Sequence, residues 1–285
     1  MLRVLGRRED GYHDLETAVV PVSLSDQVEV HAVADPGQFR TLSLSLEVTG
    51  EPEIVRRVPV DESNLALRAA KALADRGGVR GFAEIRLDKQ IPAAAGLGGG
   101  SADAAATLSA LNDLWGLGLD DAELSQVGAE IGSDVPAMLR GPALVRGRGH
   151  EVADLEAAAF HWALVTFDFG VSTAQAYRWW DEDGAATGPD PGEVVEALRN
   201  EPEILGPAMF NDLEGPVIRR HPQIGQAKQV LLEAGAAGAV MAGSGSGVVG
   251  LMATAERLPT QAEAELERLS GRPIAYVSSS GTGRR

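Results

Sequence analysis

The run P-A-A-A-G-L-G-G-G-S-A-D-A-A-A at residues 92–106 decides how the rest of this 285-residue chain is read. Four glycines (Gly96, Gly98, Gly99 and Gly100) and then Ser101 stand directly before an alanine-rich segment. Glycine opens backbone conformations closed to other residues, so several N–H groups can turn inward on one anion with no side chain between. A helix expected over residues 101–114 aims its unpaired N–H groups and the positive end of its dipole at the same point. The pattern predicts a cradle for a polyphosphate. Ahead of it, residues 82–87 alternate, placing Ala83, Ile85 and Leu87 on one face of a strand that delivers the loop.

Two familiar phosphate loops fit less well. No Lys-Ser or Lys-Thr follows these glycines, so the G-x-x-x-x-G-K-[ST] loop is excluded. Gly96 and Gly98 supply two glycines of the dinucleotide fingerprint, but Ser101 stands where the third belongs and residues 92–95 lengthen the turn. A loop that merely caps a helix has little use for so many glycines, given their entropic cost.

The length suits one large or two ordinary domains. A formal net charge of −16 and a pI near 4.7 argue against nucleic acid or an anionic membrane as the main partner, and fit a solubility role for the surface charge. Lysine occurs only at Lys71, Lys89 and Lys228, so a mechanism that needs one has three candidates. There is no cysteine, which excludes disulfides and thiol nucleophiles and is compatible with the cytoplasm. His13, His31, His150, His161 and His221 form no metal-spaced pair. Residues 234–255 carry no charge, but six glycines and two serines make them strand, loop and strand rather than a membrane span. No secretory signal is visible at the start.

Along the chain, strands are expected at residues 1–5, 16–24, 26–32 and 41–48, then a helix over 64–74 with Ser63 as N-cap. After the glycine loop and its helix come a helix over 121–131 between Asp120 and Gly132, a short helix from S-D-V-P-A-M-L, and two strands flanking G-R-G-H. The second half reads as a strand (162–167), a helix (173–180), an acidic linker (181–192), two helical stretches, strands at 237–241 and 248–253 around A-G-S-G-S-G, a helix (261–269) and a strand (274–278). The expectation is two α+β domains meeting near residue 154, with a disordered tail from Ser278.

The glycine run, G-S-D-V-P at residues 132–136 and A-G-S-G-S-G at 242–247 occur in an order that resembles the GHMP kinases, the superfamily of galactokinase, homoserine kinase and mevalonate kinase. Within it, G-R-R-E-D-G-Y-H at 6–13 and G-V-S-T-A-Q-A-Y at 170–177 resemble the kinases of 4-diphosphocytidyl-2-C-methyl-D-erythritol in the non-mevalonate isoprenoid pathway. The likeness spans nearly the whole chain, thinning at 181–207 and after Leu258.

The resemblance implies a two-domain GHMP fold, with residues 1–154 binding ATP and 155–285 forming the C-terminal domain. Pro92, Ala93, Ala94, Ala95, Gly96, Leu97, Gly98, Gly99, Gly100, Ser101 and Ala102 would wrap the phosphates of ATP, with Ser101 near Mg2+ and Ala102 replacing a second serine common in the family. Asn64 and Leu65 fall where relatives contact adenine; a helix start explains them equally well. Asp134 matches the catalytic aspartate, and a carboxylate beside an acceptor hydroxyl can take its proton as the phosphoryl group moves. An aspartate before Val-Pro-Ala is also a good helix N-cap.

Tyr12, His13 and Tyr177 would hold the cytosine, two rings sandwiching the base and His13 reading its edge; alternatively, Tyr12 is a hairpin residue and Tyr177 a core aromatic. Thr173 adds a polar contact, while Gly243, Ser244 and Gly245 approach the substrate from the second domain. The implied substrate is a small molecule, with oligomeric state open.

In one respect the chain departs from the pattern. Relatives begin with a strand reading roughly P-A-K-[VL]-N-L-x-L, whose lysine stands beside the catalytic aspartate; here the first lysine is Lys71. Either the chain as written lacks an upstream segment, the preferred reading because residues 1–5 enter mid-strand, or it binds nucleotide and turns over poorly.

Overall fold

The computed structural model describes residues 1–35 and 37–282. Its first sheet, in the order β1-β2-β6-β7, joins β1 (Leu2–Arg7), β2 (His13–Val19), β6 (Ala143–Gly147) and β7 (Glu151–Asp154). The second, β3-β5-β4, is formed by β3 (Gln27–Ala34), β4 (Leu42–Gly50) and β5 (Gly81–Lys89), with β3 antiparallel and β4 parallel to β5. The third, β11-β8-β10-β9, is antiparallel and holds β8 (Phe160–Val165), β9 (Gly238–Met241), β10 (Val248–Met252) and β11 (Ala275–Ser279).

The expected alternation of β5 is what packs the N-terminal half. Ala83, Ile85 and Leu87 are buried against the apolar faces of α2 (Leu65–Gly77), α3 (Gly99–Leu114) and α4 (Asp121–Ile131), with Leu73, Leu108 and Leu111 between. Asp120 and Glu123 form a capping box at the start of α4. Gly132 follows that helix and leads to the short α5 (Val135–Met138).

In the C-terminal half, β8 is buried on both faces. One face meets a core containing Leu231, Met241 and Leu266, and the other a core of Phe160, Trp162, Leu198 and Leu205 that also receives Ala18, Val20 and Val22. The halves are stitched early in the chain: Leu2 N–H donates to Phe210 O at 3.0 Å and Val4 N–H to Asp212 at 2.8 Å. Among the described residues no helix is long and apolar enough to cross a membrane, and 234–255 form strand, loop and strand.

Several expectations are corrected. Asn64, not Ser63, caps α2: its Oδ1 accepts from Ala66 N–H at 2.9 Å, while the Ser63 hydroxyl is taken by Asp61 at 2.6 Å. The helix after the glycines begins at Gly99, two residues early, because Gly98 adopts the cap position. Strand β2 starts at His13 and stops at Val19, short of residue 24. A four-residue helix, α1 (Pro52–Val55), is additional. After α6 (Thr173–Glu182) come four helices where two were expected: α7 (Gly192–Ala197), α8 (Pro202–Ala208), α9 (Glu214–Arg220) and α10 (Pro222–Glu233). Helix α11 (Thr260–Ser270) matches its expectation. The tail is ordered further than its serines suggest, since Ser279 ends a paired strand and Thr282 N–H donates to Ala157 O at 2.9 Å; residues 283–285 lie outside the described residues.

Candidate active site

Strand β5 ends in the loop, and the loop ends in α3. Gly96 (φ +73°) and Gly98 (φ +71°) take the left-handed conformation, and a Cβ at Gly96 would stand 2.0 Å from Ala242 O. The loop is also tied to the C-terminal half: Gly247 N–H donates to Ala95 O at 3.0 Å, and Gly243 packs on the Gly96 carbonyl. Pro92 through Ser101 all line one cavity of about 680 Å3, whereas Ala102 turns away from it. The bare backbone of the loop and the N-terminus of the 16-residue α3 therefore open into the cavity, as a phosphate chain requires. Ser101 brings a hydroxyl to the same space.

Beneath the loop lies a charge cluster that sequence reasoning did not pick out. Lys89, Asp26 and Asp103 are almost wholly buried, and the Lys89 ammonium bridges Asp26 and, at 2.5 Å, Asp103. Asp26 Oδ1 also accepts from the N–H groups of Gln90 at 2.6 Å and Ile91 at 2.8 Å, which fixes the start of the loop. Asp103 Oδ1 has no partner. Burial pushes the Asp103 carboxyl up to about 6 against the pull of the Lys89 ammonium. The available signal was a rare lysine placed three residues before Pro92.

Asp134 opens onto this cavity from the turn between α4 and α5. It occupies the position before α5 but makes no capping bond, and its backbone is already helical (φ −91°, ψ −15°), so the capping role has no support. The residue is exposed to the cleft, and desolvation there raises its pKa above the ordinary carboxylate value. The phenol of Tyr177 is raised by burial and then by the negative charge of Asp134, so the two face the same space. Among the described residues no lysine or arginine pairs with Asp134.

The remaining candidates are brought together only in part. Tyr177, Thr173, Gly243, Ser244, Asn64 and Leu65 line the cavity; Tyr12, His13 and Gly245 do not. Tyr12 closes the β1–β2 hairpin, is 54% exposed and has the Arg148 guanidinium 3.9 Å above its ring, so it does not face Tyr177. His13 instead stacks on Tyr177, centroids 4.7 Å apart. Thr173 Oγ1 and Ser244 Oγ share a hydrogen bond of 3.0 Å. The Asn64 side chain is spent on Ala66 N–H and Pro59 O, leaving its backbone and Leu65 to face a ligand.

Sequence reasoning also missed Arg57, which reaches across the cleft to the Asp168 carbonyl, and Asn211, which donates to the carbonyls of Met241 at 2.8 Å and Gly243 at 2.7 Å. The cavity runs inward between apolar walls that include Val20, Val22, Trp162, Leu164 and Val277. Met1 lines it too.

A glycine cradle facing an unpaired carboxylate suits phosphoryl transfer to an alcohol. Residues 64–142 match the family described as GHMP kinases N terminal domain, and 194–269 the one described as GHMP kinases C terminal. The chain is 43% identical over 255 residues to the 4-diphosphocytidyl-2-C-methyl-D-erythritol kinase of Symbiobacterium thermophilum, covering 88% of this chain and 86% of that protein. It is 42% identical over 258 residues to the same-named kinase of Pelotomaculum thermopropionicum, covering 90% and 86%. A crystal structure of 4-(cytidine 5'-diphospho)-2C-methyl-D-erythritol kinase superposes with a TM-score of 0.74 at 32% identity, covering 98% of this chain and 95% of that one. Homoserine kinase from Cytophaga hutchinsonii (TM-score 0.66, 20% identity, 90% and 86% covered) shares the fold. The chain belongs to the 4-diphosphocytidyl-2-C-methyl-D-erythritol kinase family, with the two-domain α+β fold of the GHMP kinases.

Proposed function

We infer that this chain transfers the γ-phosphoryl group of ATP to the 2-hydroxyl of 4-diphosphocytidyl-2-C-methyl-D-erythritol, a step of isoprenoid precursor synthesis. The observation that carries the mechanism is Asp134, a carboxylate without partner that lines one cavity with the glycine loop. In this reading Asp134 orients the hydroxyl and accepts its proton as the new O–P bond forms and the bond from the γ-phosphorus to ADP breaks. Its raised pKa makes it a better base than an ordinary carboxylate.

Backbone N–H groups of Gly98, Gly99 and Gly100 would hold the phosphates, with the Leu65 region against adenine. Ser101 and the phosphate oxygens would hold Mg2+, which would offset the charge on the transferring group. Tyr177, Thr173 and Ser244 would seat the cytidyl substrate, with His13 behind Tyr177. We assign residues 1–154 to the ATP lobe and 155–285 to the second lobe, and place the reaction in the cytoplasm, in keeping with a cysteine-free chain.

Asp134→Asn tests the mechanism: ADP release should fall about 10²- to 10⁴-fold while the melting temperature holds, because no capping bond is lost. Turnover near that of the parent chain would remove Asp134 from the reaction. The unpaired state of Asp134 also favours a second reading, ATP binding with little turnover, and that reading predicts nucleotide affinity without ADP release from the parent chain.

A further inference from the structure

Among the described residues, the charged side chains that line the cleft are Arg57, Lys89, Asp103 and Asp134. The Lys89 ammonium is spent on Asp26 and Asp103, and Asp134 adds a further carboxyl. A polyphosphate entering here also meets a chain of net charge −16. That leaves Arg57 as the lining cation with no carboxylate partner among the described residues. Its neighbour Arg56 makes the contrast, since that guanidinium pairs with Glu53 and lies off the cavity.

Arg57 follows α1, and Val58, Pro59, Asn64 and Leu65 after it line the same cavity. Its guanidinium crosses to the carbonyl of Asp168 in the C-terminal half. Two residues beyond Asp168, Gly170 packs on the Ala94 side chain, and Val171 N–H donates to Ala94 O at 3.4 Å. The anchor point therefore lies beside the start of the glycine loop. A guanidinium carries five N–H donors in a rigid fork. The Asp168 carbonyl takes a donor of Nη2, and no second hydrogen bond of this side chain occurs among the described residues. The rest of the fork is unpaired on an arm already fixed at its tip, so a phosphate that meets it costs little rotamer freedom.

We propose that Arg57 is a phosphate-binding residue: tethered across the cleft by the Asp168 carbonyl, its guanidinium supplies the side-chain positive charge that the phosphates of the nucleotide meet beside the glycine loop. The inference rests on the reading that this loop takes ATP. Backbone N–H groups bring direction but only partial charge. Lys89 does not supply the rest while it holds two buried carboxylates. The fork of an arginine also bonds phosphate oxygens in pairs, which an ammonium does not.

Nucleotide binding to the full chain, read by calorimetry, decides it without turnover. Magnesium-ATP, magnesium-ADP and adenosine are titrated into the parent chain, Arg57→Ala, Arg57→Lys and Arg56→Ala. Arg57→Ala should weaken both nucleotides about tenfold or more and leave adenosine unchanged. Arg57→Lys should recover part of the loss, because it restores the charge without the fork. Arg56→Ala removes the same charge one position away and should bind ATP as the parent does. The difference between the parent and Arg57→Ala should narrow as salt is raised. An ATP affinity left in place by Arg57→Ala, a loss shared equally by adenosine, or an equal loss in Arg56→Ala would overturn the proposal. If the parent binds neither nucleotide, the ATP reading of the loop fails and the proposal with it; if the parent binds both and Arg57→Ala does too, the role of Arg57 alone falls.

Discussion

The two walls of the cleft are built by opposite means. The phosphate wall is contiguous: β5, the loop at 92–98 and α3 follow one another in the chain, and the Lys89 cluster beneath them joins residues on either side of that loop to Asp26. The wall proposed for the base is assembled from distant pieces, Thr173 meeting Ser244 across 71 positions, with His13, behind Tyr177, meeting Asp181 across 168. A local wall is stiffened by backbone conformation and buried charge. A wall of remote pieces depends on side-chain pairs, so the first should fail through stability and the second through affinity for one substrate.

The largest expected effect is on the phosphate wall. Lys89→Met leaves two buried carboxylates without their cation and should cost about 3–5 kcal/mol in chemical denaturation. A loss below about 1 kcal/mol would mean that the cluster is not what braces the loop. Gly96→Ala comes next, with a destabilisation of about 1–3 kcal/mol from the left-handed backbone, and more if the Ala242 carbonyl cannot move. The same variant should weaken ATP binding, read by calorimetry.

On the base wall Tyr177→Ala should raise the KM for the cytidyl substrate about tenfold, in line with one lost stacking contact of about 1–3 kcal/mol, and leave the KM for ATP in place. Tyr12→Ala should do far less, because that ring is exposed beneath Arg148 and off the cavity. Equal effects of the two variants would restore the sandwich expected from sequence. The smallest effect concerns pH. Asp103 carries a folded pKa of about 6, above its unfolded value, so its contribution to stability is complete below about pH 4 and is lost as pH rises through 6. Stability profiles of the parent chain and Asp103→Asn should therefore differ in slope between those two values and run parallel above them.

The same contrast governs what was legible in the sequence. The glycine loop, the alternation of β5 and the Asp120 to Gly132 bounds of α4 were readable because each is written in neighbouring residues. Ser63 and Asn64 are both competent caps, and only Asp61, by taking the Ser63 hydroxyl, leaves the role to Asn64. Of the helices between residues 192 and 233, α7, α8 and α9 span only six or seven residues, too brief for a helical period to count them. The serine-rich tail reads as disorder until β8 offers it a strand edge.

At the site, Asp134 and the loop at 92–101, which line one cavity, were picked out by short ordered motifs. Arg57 and Asn211 were not, since their contacts run across the cleft and between distant segments that no local pattern carries. Tyr12, expected from the resemblance to sandwich the base with Tyr177, stands exposed beneath Arg148 as the hairpin alternative has it, because a motif does not say which face of a hairpin a side chain takes.

The most direct test of the central claim is ADP release by the purified chain with magnesium-ATP and, in turn, 4-diphosphocytidyl-2-C-methyl-D-erythritol, homoserine and mevalonate. The account predicts ADP with the cytidyl substrate alone. Release with homoserine or mevalonate, or none with the cytidyl substrate while ATP still binds, would contradict it.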